Sequence, residues 1–161
     1  MRLLRSVALA AAVPIAFVAG QTIPSAASGG TVIRYVSTAP QNTDIDLGEP
    51  GLSPGDRQVF VSKAVRGGKQ VGYELGEALI VEVTKDGDEA TALKALLTST
   101  LVLADGTITL SGVFVEDFAQ GPVGFTGAVT GGTGRYNGAS GQAVGEFIAG
   151  TDDVKTTIRL K

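Results

Sequence analysis

Five side chains in this sequence are placed to do chemistry inside a folded domain. Tyr73, Glu74 and Glu77 share one stretch, Gln70 to Thr84, while Tyr35 and Tyr136 stand apart from it. A carboxylate enclosed by apolar side chains is pushed toward its neutral form and can serve as a general acid. A buried tyrosine hydroxyl can donate a hydrogen bond to a developing oxyanion. Tyr73, Glu74 and Glu77 are therefore the catalytic candidates, and Tyr35 and Tyr136 the ligand-binding ones. Each has a plainer reading. A glutamate on a half-exposed strand faces water, and a strand tyrosine packs its ring and wets its hydroxyl. Strand parity narrows the choice: Glu74 and Glu77 cannot both point inward unless the strand bulges at Gly76.

Much other chemistry is excluded by composition. The chain has no Cys and no His. It therefore has no disulfide, no thiolate nucleophile, no Ser-His-Asp triad and no His-rich zinc site. The formal net charge is −3, and loss of Arg2 and Arg5 with a leader takes it to −5. An acidic surface disfavours nucleic acid and anionic membranes as partners. Asp44, Asp46 and Glu49 cluster, and Asp152 and Asp153 adjoin, but no Asp-x-Asp-x-Asp-Gly loop is present, so solvated acids are expected rather than calcium. The run Gly131–Gly138 (GGTGRYNG) invites a nucleotide reading. Its spacing is one residue off the dinucleotide fingerprint and no helix pattern follows, so a tight turn needing positive φ is expected. No cofactor or metal is expected.

The elements that must position these residues follow a period of two. Met1–Arg5 is basic, Val7–Gly20 is almost wholly apolar, and small residues follow at Ser25-Ala26-Ala27. That is the layout of a secretory signal over residues 1–27, which predicts a secreted protein. Residues 28–56 are expected to hold one strand at Thr31–Ser37 and a loop over Ala39–Asp56, rich in proline and acid. Residues 57–161 then read as strand after strand: Gln58–Val65, Gln70–Thr84, Thr91–Leu103, Thr107–Val115, Phe125–Thr130, Ala143–Ile148 and Val154–Leu160. Turns fall at Gly67-Gly68, Asp86-Gly87 and Asp105-Gly106, with a further loop through Gly121-Pro122. Ala90–Leu97 carries helical propensity against its strand assignment. The pattern predicts an all-β domain, an eight-stranded antiparallel β-barrel that includes the strand at 31–37. Glycines at 72 and 76 mark where the sheet bends to close.

Three ordered segments resemble one family. GGTGRYNGASG (Gly131–Gly141) follows Ala128-Val129-Thr130. PGDRQVFVSK (Pro54–Lys63) leads to GGKQVGYELG (Gly67–Gly76), and LVLADGTITLSG spans Leu101–Gly112. Together they resemble the allene oxide cyclase and dirigent barrels over roughly Pro54–Ile148. The resemblance implies an eight-stranded barrel with an apolar cavity, often trimeric, that confines a small molecule while it cyclises or isomerises. The family's functional residues do not carry over. The plant cyclases have a Cys where Ala78 stands here, and a first-strand Glu that Thr31–Thr38 lacks. Dirigent proteins have an Asp and an Arg where this chain has Gly134 and Ser140.

Three functions remain open. The first is a secreted, cofactor-free cyclase or isomerase that binds a small apolar molecule. The second is a non-catalytic carrier using the same barrel. The third is a structural module with a filled interior. A cavity of roughly 300 Å³ or more with converging polar groups separates the first two from the third. Apolar residues on both faces of Leu79–Val83 permit a homotrimer interface.

Overall fold

The computed structural model describes residues 30–161. The export signal expected over residues 1–27 lies outside the described residues. Eight strands follow in order: β1 (Val32–Ile45), β2 (Arg57–Arg66), β3 (Lys69–Asp86), β4 (Glu89–Leu103), β5 (Gly106–Asp117), β6 (Gly121–Gly132), β7 (Gly141–Phe147) and β8 (Val154–Leu160). Each pairs antiparallel with the next, and β8 pairs with β1 to close the barrel. Closure leaves no free edge in the region that β8 covers. Among the described residues, no helix is long and apolar enough to cross a membrane.

Alternation explains most of the interior. Ile33, Tyr35 and Ser37 are buried while Val32 and Arg34 are exposed. The same period puts Ser62 and Ala64 of β2, Ser99 and Leu101 of β4, Ile108 and Leu110 of β5, and Thr156 and Ile158 of β8 inside. Each fully buried aliphatic side chain contributes about 1.5–3 kcal/mol, an upper figure because the unfolded chain already buries part of its surface.

Two expectations need correction, and one strand assignment holds against its local propensity. The loop expected over Ala39–Asp56 is shorter, because β1 runs on to Ile45. Ala39 takes a positive φ of 49° and the register shifts between Thr38 and Gln41. Beyond that bulge, Gln41–Ile45 pair only with β2 and are all exposed. A strand with no buried face needs no apolar alternation, so Gln41, Asn42 and Asp44 fit it without cost. The helical propensity of Ala90–Leu97 is overridden: this run is paired with β3 on one side and, from Ala92, with β5 on the other. The Gly121-Pro122 loop is the first step of β6.

Both ends of the barrel are covered. At one end the chain between β6 and β7 makes a single 3-10 turn, Gly134–Tyr136. Gly134 (φ 60°) and Gly138 (φ 74°) take the left-handed conformation expected of that segment. Arg135 N–H donates to Asp105 O at 2.8 Å, and Tyr136 and Ala139 pack against the main apolar cluster. At the other end the segment 46–56 crosses over a second cluster, Ile80, Leu93 and Ala95, which Leu52 joins. Asp56, 3% exposed, accepts from Leu47 N–H and Ser53 N–H, both at 2.8 Å. Gly55 N–H and Ile80 N–H tie this strap to β3.

Candidate functional site

β3 carries the site because its parity turns Glu74 into the barrel. Glu74 is 4% exposed, whereas its neighbours Tyr73 and Leu75 are 43% and 41% exposed on the outer wall. The register runs without a break through Gly76, which faces Phe60 on β2 and Ser99 on β4. With no bulge there, Glu77 points outward, opposite to Glu74. It makes a 3.2 Å ion pair with Arg57.

Three hydroxyls converge on the Glu74 carboxylate. Ser37 Oγ donates to Oε2 at 2.6 Å and Tyr35 Oη donates to the same oxygen at 3.1 Å. Ser99 Oγ donates to Oε1 at 2.8 Å. Tyr35 and Ser37 come from β1, two places around the barrel from β3, so their side chains reach past β2. Ser99 comes from β4, directly beside β3. Burial, and then the neighbouring Glu74 carboxylate, hold the Tyr35 phenol far above the ordinary tyrosine range.

Two more hydroxyls belong to this ring. Ser62 stands opposite Glu74 across the β2–β3 pair, and Thr156 opposite Tyr35 across the β8–β1 pair. Both are buried; Ser62 Oγ has no hydrogen-bond partner, while Thr156 lies beside the Tyr35 hydroxyl and eases its ionisation slightly. Polar groups thus line a continuous arc from β8 through β1, β2 and β3 to β4. The facing arc is apolar, with Leu110 on β5, Phe125 and Val129 on β6 and Ala143 on β7. Gly145 of β7 makes room for the Phe125 ring, which a Cβ there would overlap. Among the described residues, the buried polar and charged set holds no Lys or Arg. A carboxylate beside hydroxyl donors and no cation can take a proton from a bound molecule or return one.

Of the residues singled out in the sequence, the structure brings Tyr35 and Glu74 together. Tyr73 and Glu77 lie on the outer wall. Tyr136 sits half-buried at the stoppered end, where burial and then Asp105 raise its phenol. Ser37, Ser62, Ser99 and Thr156 were not singled out. Their one sequence signal is parity, since Ser99 falls in step with Leu97 and Leu101. An open depression of about 440 Å³ lies at Gly76, lined by Val59, Leu75, Glu77 and Thr98 and reaching Ser99. Among the described residues no group of acids could hold a metal ion.

Comparison with known proteins agrees with this architecture. The family model described as allene oxide cyclase barrel like domain matches residues 33–160. A pyocyanin demethylase structure is similar at 29% identity and a TM-score of 0.64, covering 81% of this chain and 100% of that one. The Diels-Alderase AbmU of Streptomyces koyangensis is similar at 18% identity and a TM-score of 0.57, over 81% of this chain and 63% of that one. A pterocarpan synthase dirigent protein is similar at 15% identity and a TM-score of 0.57, over 82% and 84%. These last two share the fold. No curated protein matches the chain in sequence.

Proposed function

The chain belongs to the allene oxide cyclase barrel like family, and we propose that it is an exported member that binds a small, largely apolar molecule and moves a proton on it through Glu74. The observation that carries this reading is the Glu74 carboxylate, 4% exposed, held by Tyr35, Ser37 and Ser99 and facing an apolar wall. Burying a carboxylate without a cation is costly, and three hydroxyl donors offset only part of that cost. A group kept buried at such expense is a candidate for chemistry. In this role Glu74 takes or gives the proton. Tyr35 and Ser37 fix one of its oxygens and Ser99 the other, so that little reorganisation accompanies the transfer. The apolar arc holds the carbon skeleton in one shape, which favours ring closure or isomerisation over competing paths.

Support also comes from the similar proteins, whose names describe a demethylase, a Diels-Alderase and a pterocarpan synthase. All of these act on small organic molecules. The basic, then apolar, then small-residue layout of the sequence over residues 1–27 supports export. The outer wall of β2 to β5 exposes Val61, Leu75, Val81, Leu96 and Val113. That patch suits a subunit interface, so we include a homotrimer in the proposal.

Native mass spectrometry of the mature protein from its host's culture medium tests this reading. A small apolar molecule should co-purify and be released by organic solvent. Its turnover should depend on Glu74. A clean protein that takes up no apolar fluorescent probe overturns the proposal. Uptake without any turnover leaves a carrier in place of the enzyme.

A further inference from the structure

We infer that the stoppered end of the barrel is a docking face for the anionic headgroups of a phospholipid membrane. The inference is independent of Glu74 and of what the interior holds. Six exposed cations gather at this end: Arg34 near the start of β1, Arg66 and Lys69 at the β2–β3 turn, Arg135 in the 3-10 turn, Arg159 in the last step of β8 and Lys161 just beyond it. Four of them form one connected rim. Arg159 stands opposite Val32 across the β8–β1 pair, Arg66 Nε–H donates to the Arg34 carbonyl at 3.1 Å, and Arg66 faces Lys69 across the β2–β3 pair. Among the described residues, Arg135 alone of the six has an acid for a partner, Asp105 at 3.4 Å. Like charges set opposite each other on a sheet cost stability, and an anionic partner would relieve that cost.

Net negative charge disfavours such a partner only where it is spread evenly, and here it is not. The acids crowd the other end: Asp86, Asp88 and Glu89 at the β3–β4 turn, Asp152 and Asp153 in the β7–β8 turn, and Glu49 in the strap. Strand rise alone puts Asp44 roughly 30 Å along β1 from Arg34. Exposed charges more than about 8 Å apart are largely screened at physiological salt, so a surface at the basic end scarcely feels the acids. The acids in turn repel an anionic surface approaching from their side. The field therefore turns the basic end toward the membrane and the strap away from it. Two further features favour a membrane over other polyanions. Val32, 42% exposed, lies among the cations and offers an apolar contact at the headgroup boundary. The chain also enters β1 at this rim, and only Gln21–Thr31 separates the apolar run Val7–Gly20 from the basic face. An exported chain thus presents this end to the bilayer it has just crossed.

Sedimentation of the mature chain with lipid vesicles tests this. Vesicles of phosphatidylglycerol and phosphatidylcholine in equal parts should retain it at least ~10-fold more strongly than pure phosphatidylcholine, the scale that a few cations near an anionic surface give. Raising the salt to about 0.5 M should abolish the difference. Arg34→Gln, Arg66→Gln and Lys69→Gln together should abolish it as well. The same change in net charge made elsewhere, Arg57→Gln, Lys94→Gln and Lys155→Gln together, should leave it nearly intact. The single variants Arg34→Gln and Lys69→Gln, each with a partial loss, carry the test if the triple variant folds poorly. Equal retention on the two lipid compositions overturns the inference, as does equal loss from the two triple variants. So does capture by double-stranded DNA as strong as capture by vesicles at the same phosphate concentration, since the face would then take any polyanion.

Discussion

Tyr35 donates its hydroxyl to Glu74 at 3.1 Å although β2 separates their strands around the barrel. The bond is a chord across the interior, spanning 39 residues of sequence, not a contact between neighbouring strands. It needs the β1–β2–β3 meander to curl its inner face, so it ties the site to the curvature of these three strands. Replacing Glu74 tests what the chord is for. Glu74→Gln keeps a hydrogen-bonding group of the same size and removes the carboxyl that would exchange the proton. We expect turnover to fall by at least ~100-fold, the usual worth of a positioned proton-transfer group. The denaturant midpoint at neutral pH should stay level or rise. A large loss of stability with activity retained would assign Glu74 a purely structural role.

Tyr35→Phe isolates the phenol. Because burial and Glu74 raise its ionisation above the ordinary range, the folded state holds the phenolic proton more tightly than the unfolded chain does. That stability is fully present below the unfolded tyrosine value of about 10 and is lost as pH climbs past it. The wild type should therefore weaken steeply on alkaline titration, and Tyr35→Phe should weaken less. At pH 8 the variant should lose about 1 kcal/mol for the missing hydrogen bond. Guanidinium midpoints at pH 8 and about pH 11 provide the check.

Glu116 offers a milder case. It lies on β5 opposite Leu93 and Pro122, and burial raises its carboxyl above the usual range. A raised value means that the folded state binds the proton more tightly, so stability drops as pH rises through the carboxylate range. Glu116→Gln should remove that drop. The gain near pH 8 should be on the order of a few tenths of a kcal/mol, because the group is partly open to solvent. Near pH 4 the two proteins should unfold alike.

Asp56 holds the strap over one barrel end through Leu47 and Ser53. Asp56→Ala strands two backbone donors and should cost about 2–3 kcal/mol, the scale of hydrogen bonds to a charged acceptor. Limited proteolysis should then cut within residues 46–56 first. Unchanged protection of that segment would mean that Leu52 packing alone retains it.

Gly112 and Gly127 face each other where β5 meets β6, and a Cβ at Gly112 would overlap the Thr126 carbonyl and crowd Gly127. The obstacle is backbone, which cannot rotate away. Gly112→Ala should destabilise by at least ~1–3 kcal/mol, the cost of overpacking a closed interior. Thermal unfolding measures it directly.

The strands were legible because burial on one face imposes a period of two, and the barrel strands, from Val32–Ser37 of β1 through β8, follow that period. The distal half of β1 was illegible for the matching reason. Gln41–Ile45 bury nothing, so Pro40 and the acids dominate the reading. Parity also separated Glu74 from Glu77, but not which of them faced inward, since that sign is set by which face of the sheet curls inside. Ser37, Ser62, Ser99 and Thr156 gave little signal, because a lone hydroxyl in a strand looks alike whether it faces water or a carboxylate. The Tyr35–Glu74 partnership depends on how β1, β2 and β3 pair and curl, and no spacing within one strand encodes it.

The 3-10 turn at Gly134–Tyr136 gives the barrel a floor. Tyr136 and Ala139 are set against the apolar cluster, and the backbone is bolted to the rim through Asp105 and Thr107. With the 46–56 strap closing the opposite end, the vessel also has a ceiling. Exchange between the interior and water is then timed by the lifting of a cover and not by diffusion through a standing mouth.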